Sequence, residues 1–143
     1  MHVQPYLFFE GRCEEALAFY GEKLGAQTQM MMRYKESPEK NNACADQPGM
    51  EEKIMHASFR VGDTVLMASD GMASGTPNFQ GVSLSLTVDD VAKADQFFNA
   101  LAEGGQVQLP LTQTFFAKRF GMVADKFGVA WMILGGLEHD KPA

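Results

Sequence analysis

Alternation of apolar and polar positions is sharpest between Lys53 and Asp70, in the run KIMHASFRVGDTVLMASD. Gly62-Asp63 separates two β-rich segments there, and a two-residue turn whose first position takes positive φ matches the twist of an antiparallel hairpin. Pairing Val61 with Thr64 sets Arg60 opposite Val65, Ser58 opposite Met67 and His56 opposite Ser69, all on one face, because strand side chains alternate. Met55, Ala57 and Phe59 take the other face with Leu66 and Ala68. That second face is wholly apolar and must be packed. The first mixes His56, Ser58, Arg60 and Ser69 with Val65 and Met67, a composition that suits the lining of a cavity.

The same reading extends along the chain. Val3 to Glu10 is rich in Phe and Tyr and ends at Gly11, which predicts a first strand, with Pro5 at its start or on an irregular edge. From Cys13 to Leu24 the period becomes helical: Ala16, Leu17, Tyr20 and Leu24 form one stripe, Glu14 and Glu15 complement the helix dipole, and Gly25 stops the helix. Ala26 to Tyr34 resumes strand character around Met30, Met31 and Met32, and Ser37 to Glu52 is a long polar loop. Gly71 to Gln80 is a connector. Val82 to Val88 alternates as a strand, with Leu84 and Leu86 on one side and Ser83, Ser85 and Thr87 on the other. Thr87 or Asp89 is placed to cap a helix with the stripe Val91, Ala94, Phe98 and Leu101, which Gly104-Gly105 terminates. Gln106 to Thr112, containing Pro110, is a predicted edge strand; Lys118 to Ala124 and Val129 to Leu134 are strands joined by the turn Asp125-Lys126-Phe127-Gly128.

As element types, both halves read strand, helix, strand, strand, strand, an internal repeat. Phe19-Tyr20 of the first helix answers to Phe97-Phe98 of the second, and Met67 to Met132; the first half is longer mainly by its Ser37 to Glu52 loop. The fold class is therefore α+β, built from two tandem βαβββ modules, about 1–70 and about 81–136, in one domain spanning 1–143. Such a length buries roughly two-thirds of its unfolded surface.

Composition narrows the function. A net charge of −6 without a dense Lys/Arg run argues against nucleic acid as a partner. No apolar run is long enough to span a membrane, and no secretory signal opens the chain, so no membrane partner is expected. The two cysteines, Cys13 and Cys44, form no C-x-x-C pair, which fits a reduced cytoplasmic setting. Cys13 stands near a helix start, where the dipole favours a thiolate, but an ordinary buried thiol is the expected state; Cys44 falls in the polar loop and reads as incidental.

A doubled βαβββ unit with an aromatic pair late in each helix resembles the vicinal oxygen chelate superfamily, which includes glyoxalase I, extradiol dioxygenases and the bleomycin-resistance proteins. Pro5-Tyr6-Leu7, Ala16 to Tyr20, Met55-His56-Ala57 and the run from Phe120 through Asp125-Lys126-Phe127-Gly128 to Trp131 narrow the likeness to its PhnB-like family, whose members have also been labelled demethylubiquinone methyltransferase. The resemblance covers essentially the whole chain. It implies the glyoxalase/bleomycin resistance fold, in which each sheet curves around a central cavity with the helices outside. The superfamily's metalloenzymes take ligands from the first and fourth strands of each module, positions that carry over here to Pro5, Met67, Ser83 and Met132. None suits a catalytic divalent ion, so no metal and no cofactor are expected.

His56 is the histidine embedded in a predicted core strand, His2 and His139 lying near the ends. It is the candidate catalytic residue, as a general base or ligand partner, with a hydrogen-bonded structural histidine as the plain alternative. The candidate ligand-binding set is Pro5, Leu7, Ser58, Met67, Ser69, Ser83, Ser85, Arg119 and Met132, Arg119 being placed to hold a carboxylate or phosphate if it points inward. Asp125 is expected to accept backbone hydrogen bonds in its turn, and Trp131 to pack toward the helices. Gly104-Gly105 ends a helix instead of opening one after a strand, so nothing local supports a nucleotide-type loop for methyl transfer. The expected function is a homodimeric, PhnB-like binder of a small, partly apolar organic molecule in a metal-free pocket. A metal-independent enzyme using His56 for proton or group transfer is one alternative, and a drug-sequestering resistance protein is another.

Overall fold

The computed structural model describes residues 1–38 and 48–137. Cys44, His139 and most of the predicted polar loop lie outside them. The chain divides into two compact units, Met1–Pro77 and Asn78–Ala143.

In the first unit, β1 (Tyr6–Phe8), β2 (Gln27–Arg33), β3 (Ile54–Val61) and β4 (Thr64–Ser69) form a sheet in the order β1-β4-β3-β2, and α1 spans Cys13–Leu24. β1 runs parallel to β4, and the other pairs are antiparallel. The helix has its predicted bounds. Gly25 closes it in the left-handed region (φ 70°), its N–H donating to the Tyr20 carbonyl. The stripe packs on the sheet: Tyr20 is fully buried and stacks on Phe59 with ring centroids 5.9 Å apart, and Phe9 meets Tyr20 at 6.1 Å.

The hairpin follows the predicted register, Val61 with Thr64, Arg60 with Val65 and Ser58 with Met67, continuing to Ala57 with Ala68. Beyond that point it departs from strict alternation. Across β2, Met32 pairs with His56 and Arg33 with Ile54, which leaves Met55 as the extra residue of a β-bulge. Ile54 and Ala57 are buried while Met55 and His56 are half-buried. The placement of Met55 on the packed face is thereby corrected: the bulge turns it out of the core.

The second unit repeats the plan. β5 (Leu84–Val88), β6 (Gln106–Thr112), β7 (Ala117–Ala124) and β8 (Ala130–Leu137) form a sheet in the order β5-β8-β7-β6, with α2 over Val91–Ala102. β6 is an edge strand, as Pro110 predicts. The helix is capped by Asp90, whose Oδ1 accepts the Ala92 N–H at 2.8 Å, in place of Thr87 or Asp89. Ala94, Phe98 and Leu101 are its buried residues. Gly135 lets the helix approach the sheet, since a Cβ there would stand 2.5 Å from the Ala94 Cβ. Asp125 is 3% exposed and organises the β7–β8 turn. Its Oδ1 accepts the N–H groups of Phe127 and Val129 at 2.9 and 3.1 Å, and its Oδ2 accepts Trp131 Nε1–H at 2.9 Å.

The two units are thus two four-stranded mixed sheets, each with one helix, in a tandem βαβββ arrangement.

Candidate functional site

The first unit holds a cleft of about 450 Å³ at the β1 end of its sheet. Tyr6, Phe8 and Tyr34 contribute rings, Met55 and Met72 thioether chains, and Glu10, Ser69 and Gly71 the polar part of the wall. Parallel pairing of β1 with β4 puts Tyr6 beside Met67 and Phe8 beside Ser69 on one sheet face, and the bulge brings Met55 to the same cleft. The loop after β4 is shaped around Glu10. That residue holds a left-handed backbone (φ 52°), and its carboxylate accepts the N–H groups of Met72 and Ser74 at 3.2 and 3.3 Å. Gly71 is required beside it, both for its φ of +56° and because a Cβ would run into the Glu10 carboxylate.

Tyr6 Oη and His56 Nδ1 are 2.9 Å apart, and their ring centroids 5.5 Å. Ser69 Oγ accepts the Gly71 N–H at 3.1 Å. Burial raises the Tyr6 phenol above its ordinary range, against a smaller lowering effect of the Ser69 hydroxyl. The phenol is therefore neutral at neutral pH.

Directly after Ser69, Asp70 is buried and ties three elements together. One oxygen accepts the Cys13 N–H at the start of α1, at 2.8 Å, and the other the Ile54 N–H at the start of β3, at 2.7 Å. Burial, with smaller contributions from Asp70 and Glu14, pushes the Cys13 thiol up to about 12. Cys13 is the buried thiol and not a dipole-activated thiolate. A group protonated more firmly in the fold than in the unfolded chain adds stability below its unfolded pKa and loses that contribution as pH rises through the folded value. Cys13 stabilisation is thus expected to fade from about pH 9 to about pH 12, with Tyr6 acting in the same direction. Urea titrations across that window check this; stability rising with pH there would contradict it.

The predicted site residues separate into three groups. His56, Ser58, Met67 and Ser69 share the sheet face of Tyr6; Ser58 pairs with Met67, and Ser69 is 4% exposed in the cleft wall. Ser85 and Met132 pair on the second sheet, on the side opposite the buried Trp131 and Ile133, while Ser83 lies before β5 and donates to the Ala130 carbonyl at 3.3 Å. Leu7 and Arg119 are corrections. Leu7 is 6% exposed in the core, because β1 pairs Leu7 with Ala68 and so points it toward the packed face. Arg119 Nε donates to Asp95 of α2 at 3.2 Å, so it lies on the helix side of its sheet. Pro5 precedes β1 and contributes its carbonyl to the Met67 N–H at 3.0 Å. Tyr6, Phe8, Glu10, Tyr34, Met55 and Met72 were missed as lining; the aromatic density of the first strand was the available signal for Tyr6 and Phe8.

Residues 1–134 match the family model described as 3-demethylubiquinone-9 3-methyltransferase. The chain belongs to that family, the PhnB-like group. Protein YjdN of Escherichia coli K12 is 36% identical over 138 residues, covering 93% of this chain and 94% of its own. The crystal structure of PA1353 from Pseudomonas aeruginosa is 45% identical with a TM-score of 0.81, covering 94% of this chain and 97% of that one. A Bacillus cereus structure titled putative 3-demethylubiquinone-9 3-methyltransferase, PhnB protein, is 29% identical with a TM-score of 0.77, covering 94% and 99%. At fold level, a glyoxylase/bleomycin resistance protein/dioxygenase domain from Frankia matches with a TM-score of 0.60 at 20% identity, covering 96% and 91%.

In this PhnB-like chain strand register decides which residues of the first and fourth strands of each unit stand side by side. Tyr6, not Pro5, stands beside Met67, and Ser85, not Ser83, beside Met132. In each unit by itself, a phenol beside a thioether or a hydroxyl beside a thioether does not offer the imidazole or carboxylate that a divalent ion prefers. Among the described residues no three His, Cys, Asp or Glu side chains cluster as a metal site.

Proposed function

We propose that the first unit's cleft binds a small, partly apolar organic molecule without a divalent metal at the superfamily's usual position. The observation carrying this reading is the Tyr6–His56 hydrogen bond at 2.9 Å beside a cleft walled by rings and methionines. A volume of about 450 Å³ is the size of a small-molecule site, and few placed polar groups among apolar walls is the usual composition of one. Methionines add a surface that adapts to ligand shape. The donor chemistry of the Tyr6–Met67 pair in the first unit, and of the Ser85–Met132 pair in the second, supports the metal-free part.

The methyl transfer named in the family's description is not extended to this chain. Gly104-Gly105 lies between α2 and β6, a helix-to-strand turn, whereas a nucleotide loop follows a strand and opens a helix. The two units are read as modules of one domain, supported by a family model spanning both. A cytoplasmic homodimer completes the proposal. The protonated Cys13 thiol suits a reducing compartment, and the exposure of Val82, Val107, Leu109 and Phe115 supports self-association.

Thermal stabilisation across a panel of neutral aromatic and aliphatic metabolites, with metal content measured on the same sample, tests the proposal. Hits are expected to lose about tenfold in affinity in Met55→Ala, which removes cleft wall outside the packed core. Stoichiometric divalent metal, or hits indifferent to Met55→Ala and Phe8→Ala, would count against it. Sedimentation velocity on that sample reads the dimer; a monomer removes it.

A further inference from the structure

The cleft of the first unit has two kinds of wall that favour the same charge. Tyr6, Phe8 and Tyr34 contribute rings, with Tyr6 and Phe8 centroids 5.0 Å apart, and Phe8 is 53% exposed, so its ring is open to a ligand. The face of an aromatic ring is electron-rich and attracts a cation within about 6 Å of its centroid. The Glu10 carboxylate stands in the same wall, packed against Gly71. A carboxylate has about four acceptor sites. The Met72 and Ser74 amides supply hydrogens at 3.2 and 3.3 Å, and among the described residues Glu10 forms no ion pair. Lys53 comes near, its Nζ 4.0 Å from a Cβ built on Gly11, without pairing with it. Among the described residues no Lys, Arg or His lines the cleft, so its charge is negative, in a chain of net charge −6.

We infer that this cleft selects an organic cation, an alkylated ammonium of the quaternary kind, seated against the Tyr6, Phe8 and Tyr34 rings beside Glu10. The inference rests on the small-molecule reading above and names its ligand class. A primary ammonium carries three N–H donors and a strong hydration shell, which a wall made mostly of rings and thioethers replaces poorly. A quaternary ammonium has no N–H to satisfy. It spreads its charge over methyl groups that pack on rings and on the polarizable Met55 and Met72 side chains. An anion would meet both the carboxylate and the ring faces with the wrong sign.

Choline and 3,3-dimethylbutan-1-ol, which have the same shape and differ by N⁺ against C, are the probes, titrated calorimetrically into the full chain. Choline is expected to bind about tenfold more tightly at low salt, an advantage that shrinks as salt rises. Glu10→Gln keeps an oxygen for the loop amides and removes the charge; Phe8→Leu keeps apolar bulk and removes a ring face. Each is expected to reduce the preference to about threefold. Methyl spectra of the chain labelled at its ten methionines place the cation: choline is expected to shift Met55 and Met72, assigned by Met55→Leu and Met72→Leu. Equal affinities for the two probes, a preference that survives both variants, or shifts confined to other methionines would overturn the inference while leaving small-molecule binding intact. Silence from both probes while neutral members of the panel bind overturns it in the same way. If neither the probes nor the panel bind, the binding reading itself falls, and the inference with it.

Discussion

Asp125→Ala is expected to cost about 4 kcal/mol of stability, the sum of stranding three buried donors at about 1–3 kcal/mol each less what local relaxation recovers. Asp125 is 3% exposed, and its two oxygens take the Phe127 and Val129 N–H groups and the Trp131 indole N–H. Removing the carboxylate therefore unties the β7–β8 turn and the side chain that anchors β8 in one step. Asp125→Asn keeps one carbonyl oxygen for the two amides but presents an NH2 to the indole, and is expected to lose roughly half as much. Urea unfolding measures both. Trp131 is the only tryptophan in the chain, so its emission reports the same bond. A loss below about 1 kcal/mol for Asp125→Ala would show that water satisfies these donors, and would sink the account.

Asp70→Ala is expected to cost about 3 kcal/mol and to weaken the cleft as well. Its carboxylate accepts at 2.8 and 2.7 Å from Cys13 and Ile54, both buried, and one of these is the first residue of α1, where a negative charge also complements the helix dipole. Arg12, at the N-cap position, makes no side-chain cap hydrogen bond, so Asp70, directly after β4, supplies what the local sequence lacks. Ser69, Gly71 and Met72 flank it and line the cleft. Loss of the carboxylate is expected to reduce binding of the panel's hits at temperatures where the chain is still folded. Full affinity in a destabilised Asp70→Ala protein would separate the tie from the site.

These two aspartates mark how far the sequence could be read. Asp125 was legible because its partners lie two to six residues away, within one turn whose residues announce it. The same locality made α1, the β3–β4 register and the side of β5 that carries Ser85 readable: a helical stripe, a two-residue turn and strict alternation are short-range consequences of backbone geometry. Asp70 looked like the end of a strand, since its partners lie 16 and 57 residues off.

The candidate site shows the same limit. Leu7 was assigned to the ligand and Tyr6 passed over because β1 has three residues, too few for a period, and its faces are chosen by parallel pairing with β4. Met55 was assigned to the core because alternation was carried through a bulge that β2 imposes. Arg119 alternates correctly, but only the packing of α2 shows that its side of the sheet is the helix side, where Asp95 meets it. Sequence alone determined the doubled βαβββ plan, the family and His56 as the polar residue of interest, because repeats, turns and stripes are written in neighbouring residues. The tertiary structure decided that His56 meets Tyr6 across 50 residues and that Met55 joins the cleft. Those facts depend on which strands pair and where a register slips, and both are settled by packing between segments distant in the chain.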